Sequence, residues 1–236
     1  MRNKVRYTSL LPVYILILFG FIALAVGGSR AVTVLSANAP IPVSKTIIID
    51  AGHGGVDGGA TSCTGVLESR FNLEIALKLN DLMHLLGIDT VMIRDSDCSV
   101  YTKGDTIAQK KVSDLKERVR IVNGTENALL ISLHQNHFTD NKYSGAQVFF
   151  APTQGSEELA KKLQTALIQS VNQSSRRQIK KADGIYLMQH ITCPGVLIEC
   201  GFLSNPQEEY NLRDPVYQKK LCSVIASTVS NHIFST

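Results

Sequence analysis

The sequence predicts an α/β fold: a single domain with a central, mostly parallel, twisted sheet flanked by helices. Short apolar runs rich in β-branched residues alternate along the chain with longer amphipathic segments, and several of these runs end in a polar side chain. Uninterrupted apolar runs are typical of strands that are covered on both faces, as in parallel sheets. After an apolar N-terminal segment, roughly 195 residues remain, which suits one domain.

The first elements follow from periodicity and from the positions of glycines. Thr46–Ile49 is an uninterrupted β-branched run and predicts a buried strand. The loop after it, within AGHGGVDGGA, contains five glycines, so its backbone can turn sharply and lie close to a ligand. A helix capped by Ser69 is predicted next, and its apolar residues recur at helical spacing before a glycine: Ile75, Leu79, Leu82, Leu86 and Gly87.

The rest of the chain continues the alternation of strands and helices. Strands are predicted where short apolar runs lie between polar segments: Val91–Ile93, Ala128–Leu133, Ala146–Phe150, Tyr186–Leu187 and Val196–Ile198. Helices are predicted where capping residues precede amphipathic segments: Asp114–Asn123 with Glu117 in a capping box, Ser156–Ser170, a helix capped by Asn205 with Pro206 and Glu208, and a helix from Asp214–Pro215 to Phe234. The polar stretch Arg94–Lys111 is predicted to be a connection.

The N-terminal segment indicates export. Leu10–Val26 carries no charge and follows the basic residues Arg2, Lys4 and Arg6. This pattern is typical of a signal peptide or a retained signal anchor, and we favour the anchor. The basic residues place the N-terminus in the cytoplasm and the body outside, either membrane-anchored or secreted. Residues 1–40 are therefore treated as the signal segment with its linker, and residues 41–236 as the folded domain.

Charge gives no support for a nucleic-acid partner. The formal net charge is +4, and the N-terminal segment supplies three of the cations, so the body is nearly neutral. One basic cluster remains, Arg176–Arg177 with Lys180–Lys181, and we expect it to be a solvated helix end or loop.

The five cysteines are irregularly spaced and include no C-x-x-C pair, which argues against a disulfide framework. We interpret most of them as small buried side chains, with Cys63 and Cys98 in polar loops. A cysteine hydrolase that uses Cys63 or Cys200 is an alternative function, although no motif supplies a thiolate beside a base. Cys200 follows Glu199 directly, so in a strand it points to the opposite face.

Polar residues at the ends of strands indicate a site at one edge of the sheet. His53, His134 and Glu199 each follow an apolar run, and Glu68 stands just before the first long helix. Two histidines and a carboxylate are the three protein ligands of a catalytic zinc site, which would leave Glu199 as a base. The alternative for His53 is a solvated residue in a glycine-rich turn, and the spacing alone does not decide between them.

Several ordered motifs resemble one enzyme family. AGHGGVDGGA, Glu68 before NLEIALKL, SLHQN, SGAQVFF and PGVLIECGFLSNPQEE together resemble the zinc-dependent N-acetylmuramoyl-L-alanine amidases of the peptidoglycan amidase-3 family. The resemblance covers about Lys45–Ile233. It implies that the zinc (Zn2+) ligands are His53, Glu68 and His134, that Glu199 is the catalytic carboxylate, and that Asn136 and Gln147 contact substrate.

The same resemblance implies a substrate and a cellular role. The expected reaction is hydrolysis of the amide between N-acetylmuramic acid and the L-alanine of the peptidoglycan stem peptide. Within the family, GIYLMQHITCPGVLIE leading into GFLSNP is similar to the germination-specific amidases of spore formers, which act in the first step towards cortex muramic-δ-lactam. The alternatives are a general amidase of vegetative cells and a non-catalytic wall-binding domain with the same fold. An accessory protein could supply targeting.

Three further residues near the predicted site have weaker assignments. Asp50 and Asp57 could each orient a histidine ligand, although aspartates are common at strand ends and in turns. His137 stands where relatives usually have a small residue. It could contact substrate or metal, and we favour a solvated histidine.

Overall fold

A computed structural model describes residues 45–234 of the chain. The predicted signal or anchor segment, Leu10–Val26, and the boundary at residue 41 lie outside the described residues. Within residues 45–234, no helix has the length and apolar character needed to cross a membrane.

A six-stranded sheet forms the centre of the domain and confirms the predicted class. Its strands are β1 (Thr46–Ala51), β2 (Thr90–Met92), β3 (Ala128–Asn136), β4 (Gln147–Phe150), β5 (Lys180–Lys181) and β6 (Gly195–Phe202). Their spatial order is β2-β1-β3-β6-β4-β5. Every neighbouring pair is parallel except β4 and β6, which are antiparallel. The sheet is therefore mostly parallel, and β1, β3 and β6 end at the same edge.

Helices cover both faces of the sheet. They are α1 (Glu68–Leu85), α2 (Ile107–Asn123), α3 (Ser156–Ser170), α4 (Tyr186–His190), α5 (Pro206–Arg213) and α6 (Pro215–Phe234). The larger apolar core joins one face to α1, α3 and α6, and the smaller core joins the other face to α2 and α4. Successive residues of β1 point to opposite faces, so Ile47 and Ile49 belong to the larger core and Ile48 to the smaller one.

Helix α1 begins two residues earlier than predicted, and Ser69 is not its cap. Leu67 is at the N-cap position and makes no side-chain cap. Main-chain carbonyls of the glycine-rich loop take this role, because the amides of Glu68 and Ser69 donate to Ala60 and Gly58. The loop and the helix start are thus one hydrogen-bonded unit, which fixes the position of Glu68.

Helix α2 begins seven residues earlier than the predicted start at Asp114. Thr106 and Gln109 form the actual capping box. Asp114 instead accepts hydrogen bonds from Arg118 and from the amide of Val100, and Glu117 bonds to Arg120. The large apolar residues of the early turns, Ile107 and Val112, are exposed and do not form an apolar stripe, so periodicity did not reveal these turns.

Two other capping assignments are also wrong. Gly155, in the left-handed conformation, is the N-cap of α3, and the Ser156 hydroxyl accepts from the amide of Gly195 instead. Asn205 does cap α5, but Glu208 does not complete a capping box. Its carboxylate accepts from amides in other elements, Gly145 and Phe202, which ties α5 to the sheet.

The predicted strand Tyr186–Leu187 is helix α4, and the two-residue strand β5 at Lys180–Lys181 was not predicted. Leu187 and Met188 are consecutive buried residues, and a run this short fits either element. β5 is formed by two exposed lysines, whose side chains give no strand signal.

Candidate active site

The glycine-rich loop brings its backbone into close contact with the side chains of His134 and Glu68. His53 lies in this loop with φ 61°, a left-handed conformation that is uncommon for residues other than glycine. At Gly52, a Cβ atom would collide with the imidazole ring of His134. At Gly59, which has φ +70°, a Cβ atom would lie 2.7 Å from Oε2 of Glu68. The glycines therefore let the loop close around these side chains.

A buried arginine on α2 holds the loop at the end of β1. Arg118 donates from Nη2 to the carbonyl oxygen of His53 at 2.7 Å and from Nη1 to that of Ala51 at 3.0 Å. It also forms ion pairs with Asp50 and Asp114, both through short contacts. Burial lowers the pKa of Arg118, but the two carboxylates outweigh this and raise it above the ordinary range. Arg118 thus fixes the backbone that carries His53.

His53, Glu68 and His134 converge into a group that can hold a metal ion. Glu68 bridges the two histidines: Oε1 lies 3.0 Å from Nδ1 of His134, and Oε2 lies 3.3 Å from Nε2 of His53. One ligand atom from each residue lies within 4.8 Å of the other two. Glu68 is buried, and the histidines are partly buried. The structure therefore brings together the three residues predicted as ligands, which offer two imidazole nitrogens and one carboxylate.

Electrostatic interactions within this group keep Glu68 ionised. Burial raises the pKa of Glu68, but hydrogen bonds and charges of His134 and His53 outweigh it and hold that pKa far below its usual range. Burial also opposes protonation of His53, but Glu68 and Asp57 reverse this effect and raise the pKa of His53 to about 9. The group therefore attracts positive charge, either as protons or as a cation.

Glu199 lies beside this group with a free carboxylate oxygen. It is opposite His134 in the register of β3 and β6, so the two side chains project from the same face. Oε2 of Glu199 is buried and has no hydrogen-bond partner among residues 45–234. Burial raises the pKa of Glu199 to about 7. The charge of Glu68 also raises this pKa, and the charges of His134 and His53 lower it without cancelling the effect of burial. A carboxylate with this pKa can accept a proton near neutral pH and release it again.

The two aspartates near His53 have different partners. Oδ2 of Asp57 lies 2.9 Å from Nδ1 of His53, and Oδ1 pairs with Nζ of Lys111 at 2.7 Å. Asp57 can therefore orient the His53 ring and select its tautomer. Asp50 contacts no histidine and instead accepts from Ser132 and Arg118. Of the two aspartates, only Asp57 is placed to orient the ring of His53.

The remaining site candidates lie at different depths. Asn136 is half-buried at the end of β3, opposite Phe202. Gln147 is buried, lies opposite Glu199 in β4, and hydrogen-bonds to Arg177 and to the carbonyl oxygen of Gln178. His137 is exposed, as favoured from the sequence.

All five thiols are free, and none forms a catalytic pair with a histidine among the described residues. Cys200 is fully buried in the larger core, on the face opposite Glu199, and burial raises the pKa of its thiol well above the ordinary value. Cys63 and Cys98 are exposed in loops. This arrangement does not support a cysteine hydrolase.

The arginines that support the site were not predicted from the sequence. Arg118 and Arg94 both donate to main-chain carbonyls around the glycine-rich loop, and both are buried. The i, i+4 spacing of Asp114 and Arg118 was a usable signal, because such a pair lies on one helix face. Arg94 lies in a polar segment and carries no comparable signal.

A cavity of about 300 Å³ adjoins the site. His53, His134 and Glu199 form its polar wall, while the apolar wall comes from α2 and from the segment around α4: Leu115, Ile185 and Leu187. Its size and mixed lining suit a small part of a larger substrate.

Comparison with known proteins gives consistent similarities over the described domain. Residues 47–231 match the Amidase_3 family model, described as N-acetylmuramoyl-L-alanine amidase. The chain is 38% identical over 228 residues to the germination-specific N-acetylmuramoyl-L-alanine amidase of Bacillus subtilis strain 168, covering 95% of this chain and 93% of that protein.

Two solved structures are similar in both sequence and fold. The CwlD amidase from Clostridioides difficile, solved in complex with the GerS lipoprotein, is 38% identical with a TM-score of 0.78, covering 82% of this chain and 100% of that one. An N-acetylmuramoyl-L-alanine amidase from Clostridium difficile 630 is 29% identical with a TM-score of 0.71, covering 82% and 98%.

Proposed function

Because the chain belongs to the Amidase_3 family of N-acetylmuramoyl-L-alanine amidases, we propose that it cleaves its amide substrate with a zinc ion held by His53, Glu68 and His134 and with Glu199 as general base. The observation that carries this proposal is the convergence of the three donors next to a carboxylate whose Oε2 has no partner among the described residues.

The donor set fits zinc. Two neutral imidazoles and one carboxylate are a known ligand set of catalytic zinc sites, which keep a further position open for water or substrate. The ionised state of Glu68 favours a cation, and Asp57 accepts from the remaining ring nitrogen of His53. Such hydrogen bonds orient metal-binding histidines. A zinc ion bound here would lower the pKa of water and polarise the scissile carbonyl.

Glu199 moves the protons of the reaction. Its carboxylate accepts a proton as water attacks the carbonyl carbon, and returns that proton to the amine of L-alanine as the C–N bond breaks. Burial raises the pKa of this carboxylate, which makes it a stronger base. A non-catalytic wall-binding domain would not need a buried carboxylate with an unpartnered oxygen at this place.

The substrate is peptidoglycan, as for the relatives named cell-wall or N-acetylmuramoyl-L-alanine amidases, and the protein acts outside the cytoplasm. We place it in spore cortex maturation, where removal of the stem peptide precedes muramic-δ-lactam formation, because of its similarity to a germination-specific amidase. A general amidase of vegetative cells is the second candidate. Germination of spores from a deletion strain, compared with vegetative growth and chain separation, distinguishes the two roles.

Two further proposals concern location and partners. Leu10–Val26 anchors the protein in the membrane, which predicts that it stays with membranes after a high-salt wash, because apolar burial is insensitive to screening. The complex of a related amidase with a lipoprotein supports an accessory protein partner for this chain. Co-purification of tagged protein from sporulating cells tests that partner.

The experiment for the central proposal measures zinc and product together. Purified protein should contain about one zinc ion per chain, and it should release the stem peptide with a free L-alanine amine from muropeptides. Removal of zinc by a chelator should abolish hydrolysis, and added zinc should restore it. Inhibition by a thiol reagent instead of a chelator would contradict the proposal.

A further inference from the structure

Arg177 is a fixed arginine next to the candidate active site. Its Nε donates to the carbonyl oxygen of Ser144 at 2.7 Å, and its Nη1 donates to Oε1 of Gln147 at 2.9 Å. The guanidinium stacks over the ring of Phe202, with Cζ 4.4 Å from the ring centroid. Its neighbour Arg176 is exposed. Arg177 is therefore built into the protein, unlike the solvated residue that the sequence predicted.

No carboxylate among residues 45–234 forms an ion pair or hydrogen bond with Arg177, and its Nη2 has no partner there. The nearby carboxylate of Glu208 accepts the amides of Gly145 and Phe202 and forms no direct bond to Arg177. Burial lowers the pKa of Arg177, and Glu208 and Tyr143 only partly offset this. The guanidinium is partly buried and has no directly bonded carboxylate among the described residues, so it can pair with an external anion.

Strand register places Gln147, a hydrogen-bond partner of Arg177, opposite Glu199. Gln147 lies opposite Glu199 in the antiparallel pair β4 and β6, so both side chains project from the same face. An irregularity in β6 between Glu199 and Phe202 sets Phe202 opposite Asn136. Such a bulge adds one residue and turns Phe202 towards the face that carries His134 and Glu199. Arg177 thus contacts Gln147 and Phe202, which lie on the same face of the sheet as His134 and Glu199.

We propose that Arg177 binds a carboxylate of the peptidoglycan stem peptide and makes the enzyme selective for acidic stems. This inference rests on the proposed function, since it assumes that the stem peptide leaves the scissile amide across this side of the site. Nη2 and the second hydrogen of Nη1 form a free edge that can pair with both oxygens of a carboxylate. The carboxylate is either that of the second stem residue or that of the stem C-terminus.

The test uses full-length protein and a matched set of muropeptides in which each of these two carboxylates is free or amidated. Arg177→Met should raise KM by roughly tenfold to a hundredfold for the free acid, with kcat little changed. The effect should vanish when the contacted carboxylate is amidated, which identifies that carboxylate. Arg177→Lys should be intermediate, because it keeps the charge and loses the planar fork. Arg176→Met, at the adjacent exposed arginine, should match the parent protein on every substrate.

A binding measurement separates this inference from the proposed reaction. In a Glu199→Gln background, calorimetry with uncleaved free-acid and amidated muropeptides should show the same preference and the same loss with Arg177→Met. Equal effects of Arg177→Met on both substrates, or no effect, would overturn the inference even if the parent enzyme is active. Failure of the parent enzyme to cleave any muropeptide would overturn the proposed function, and calorimetry would still test Arg177. Thermal melting of each variant controls for folding.

Discussion

His134 and Glu199 are register partners in the adjacent parallel strands β3 and β6, at the edge where both strands leave the core. One belongs to the convergent His–Glu–His group, and the other carries a carboxylate whose Oε2 is buried and whose pKa is raised to about 7. Two rigid strands thus fix the spacing between the proposed metal ligand and the proposed base.

Replacing a proposed metal ligand should remove zinc and activity together. His134→Ala, and equally His53→Ala or Glu68→Ala, deletes one of only three protein donors. Zinc content by atomic emission and turnover on a muropeptide should both fall to near background. His137→Ala is the matched control, because His137 is exposed three residues further along the chain, and it should keep both. Full zinc occupancy in His134→Ala would remove this residue from the site.

Asp57→Asn should weaken zinc binding without unfolding the protein. Asp57 accepts a hydrogen bond from Nδ1 of His53 and forms an ion pair with Lys111. Its carboxylate is therefore fixed in a position that sets the orientation of the His53 imidazole. Loss of such a partner typically lowers metal affinity about tenfold to a hundredfold. Competition with a chromophoric chelator measures this affinity. Asp183→Asn, which alters an exposed carboxylate, should bind zinc like the parent protein; equal affinities in all three proteins would refute the role of Asp57.

Arg118→Met should destabilise the domain strongly. Arg118 pairs with Asp50 and Asp114 in a buried setting, and its loss leaves two carboxylates without their cation. Breaking one side of a buried ion pair typically costs about 3–5 kcal/mol. Urea denaturation measures the change. Arg120→Met, two residues later in the same helix, alters only an exposed pair and should change the midpoint little, whereas similar midpoints for both variants would contradict this account.

Acid should destabilise the protein partly through Asp50. Burial raises the pKa of Asp50, but Arg118, His134 and Ser132 outweigh this and hold it below its ordinary value. An unfolded aspartate has a pKa of about 3.9. Asp50 therefore stabilises the fold above that pH, and this contribution is lost as the pH falls through the lower folded pKa.

The urea midpoint should fall as the pH drops below about 4. Asp50→Asn should be less stable at neutral pH and should lose less further stability in that acidic range. Asp183→Asn should keep the pH dependence of the parent protein. An acidic loss in Asp50→Asn as large as that of the parent protein would show that other carboxylates account for it.

The residues that converge in the site were predictable, because the carboxyl ends of parallel strands lie at the same edge of a sheet. His53, His134 and Glu199 follow apolar runs, and this pattern needs no knowledge of long-range contacts. Glu68 was identifiable only as a carboxylate before a helix. Its actual placement depends on amide contacts to the loop carbonyls of Ala60 and Gly58, which a local pattern does not reveal.

The supporting residues were less predictable, since their roles depend on tertiary contacts. Arg118 reaches across from α2 to the end of β1, over a sequence separation of 65 residues to His53. Arg177 lay within an apparently solvated basic cluster, yet it packs on Phe202. Gly201 within a strand was a usable signal for the irregularity in β6, because glycine in a strand often marks a bulge.

The most direct test of the central claim is zinc content and turnover of Glu199→Gln on the same preparation. A general base does not hold the metal, so the variant should keep its fold and about one zinc ion per chain. Its amide cannot accept a proton, so turnover of a muropeptide carrying the lactyl-L-alanine amide should fall by roughly a hundredfold to ten-thousandfold. Binding of that muropeptide should persist. Loss of zinc would make Glu199 a metal ligand, and near-normal turnover with zinc retained would place the base elsewhere; either result would contradict the account.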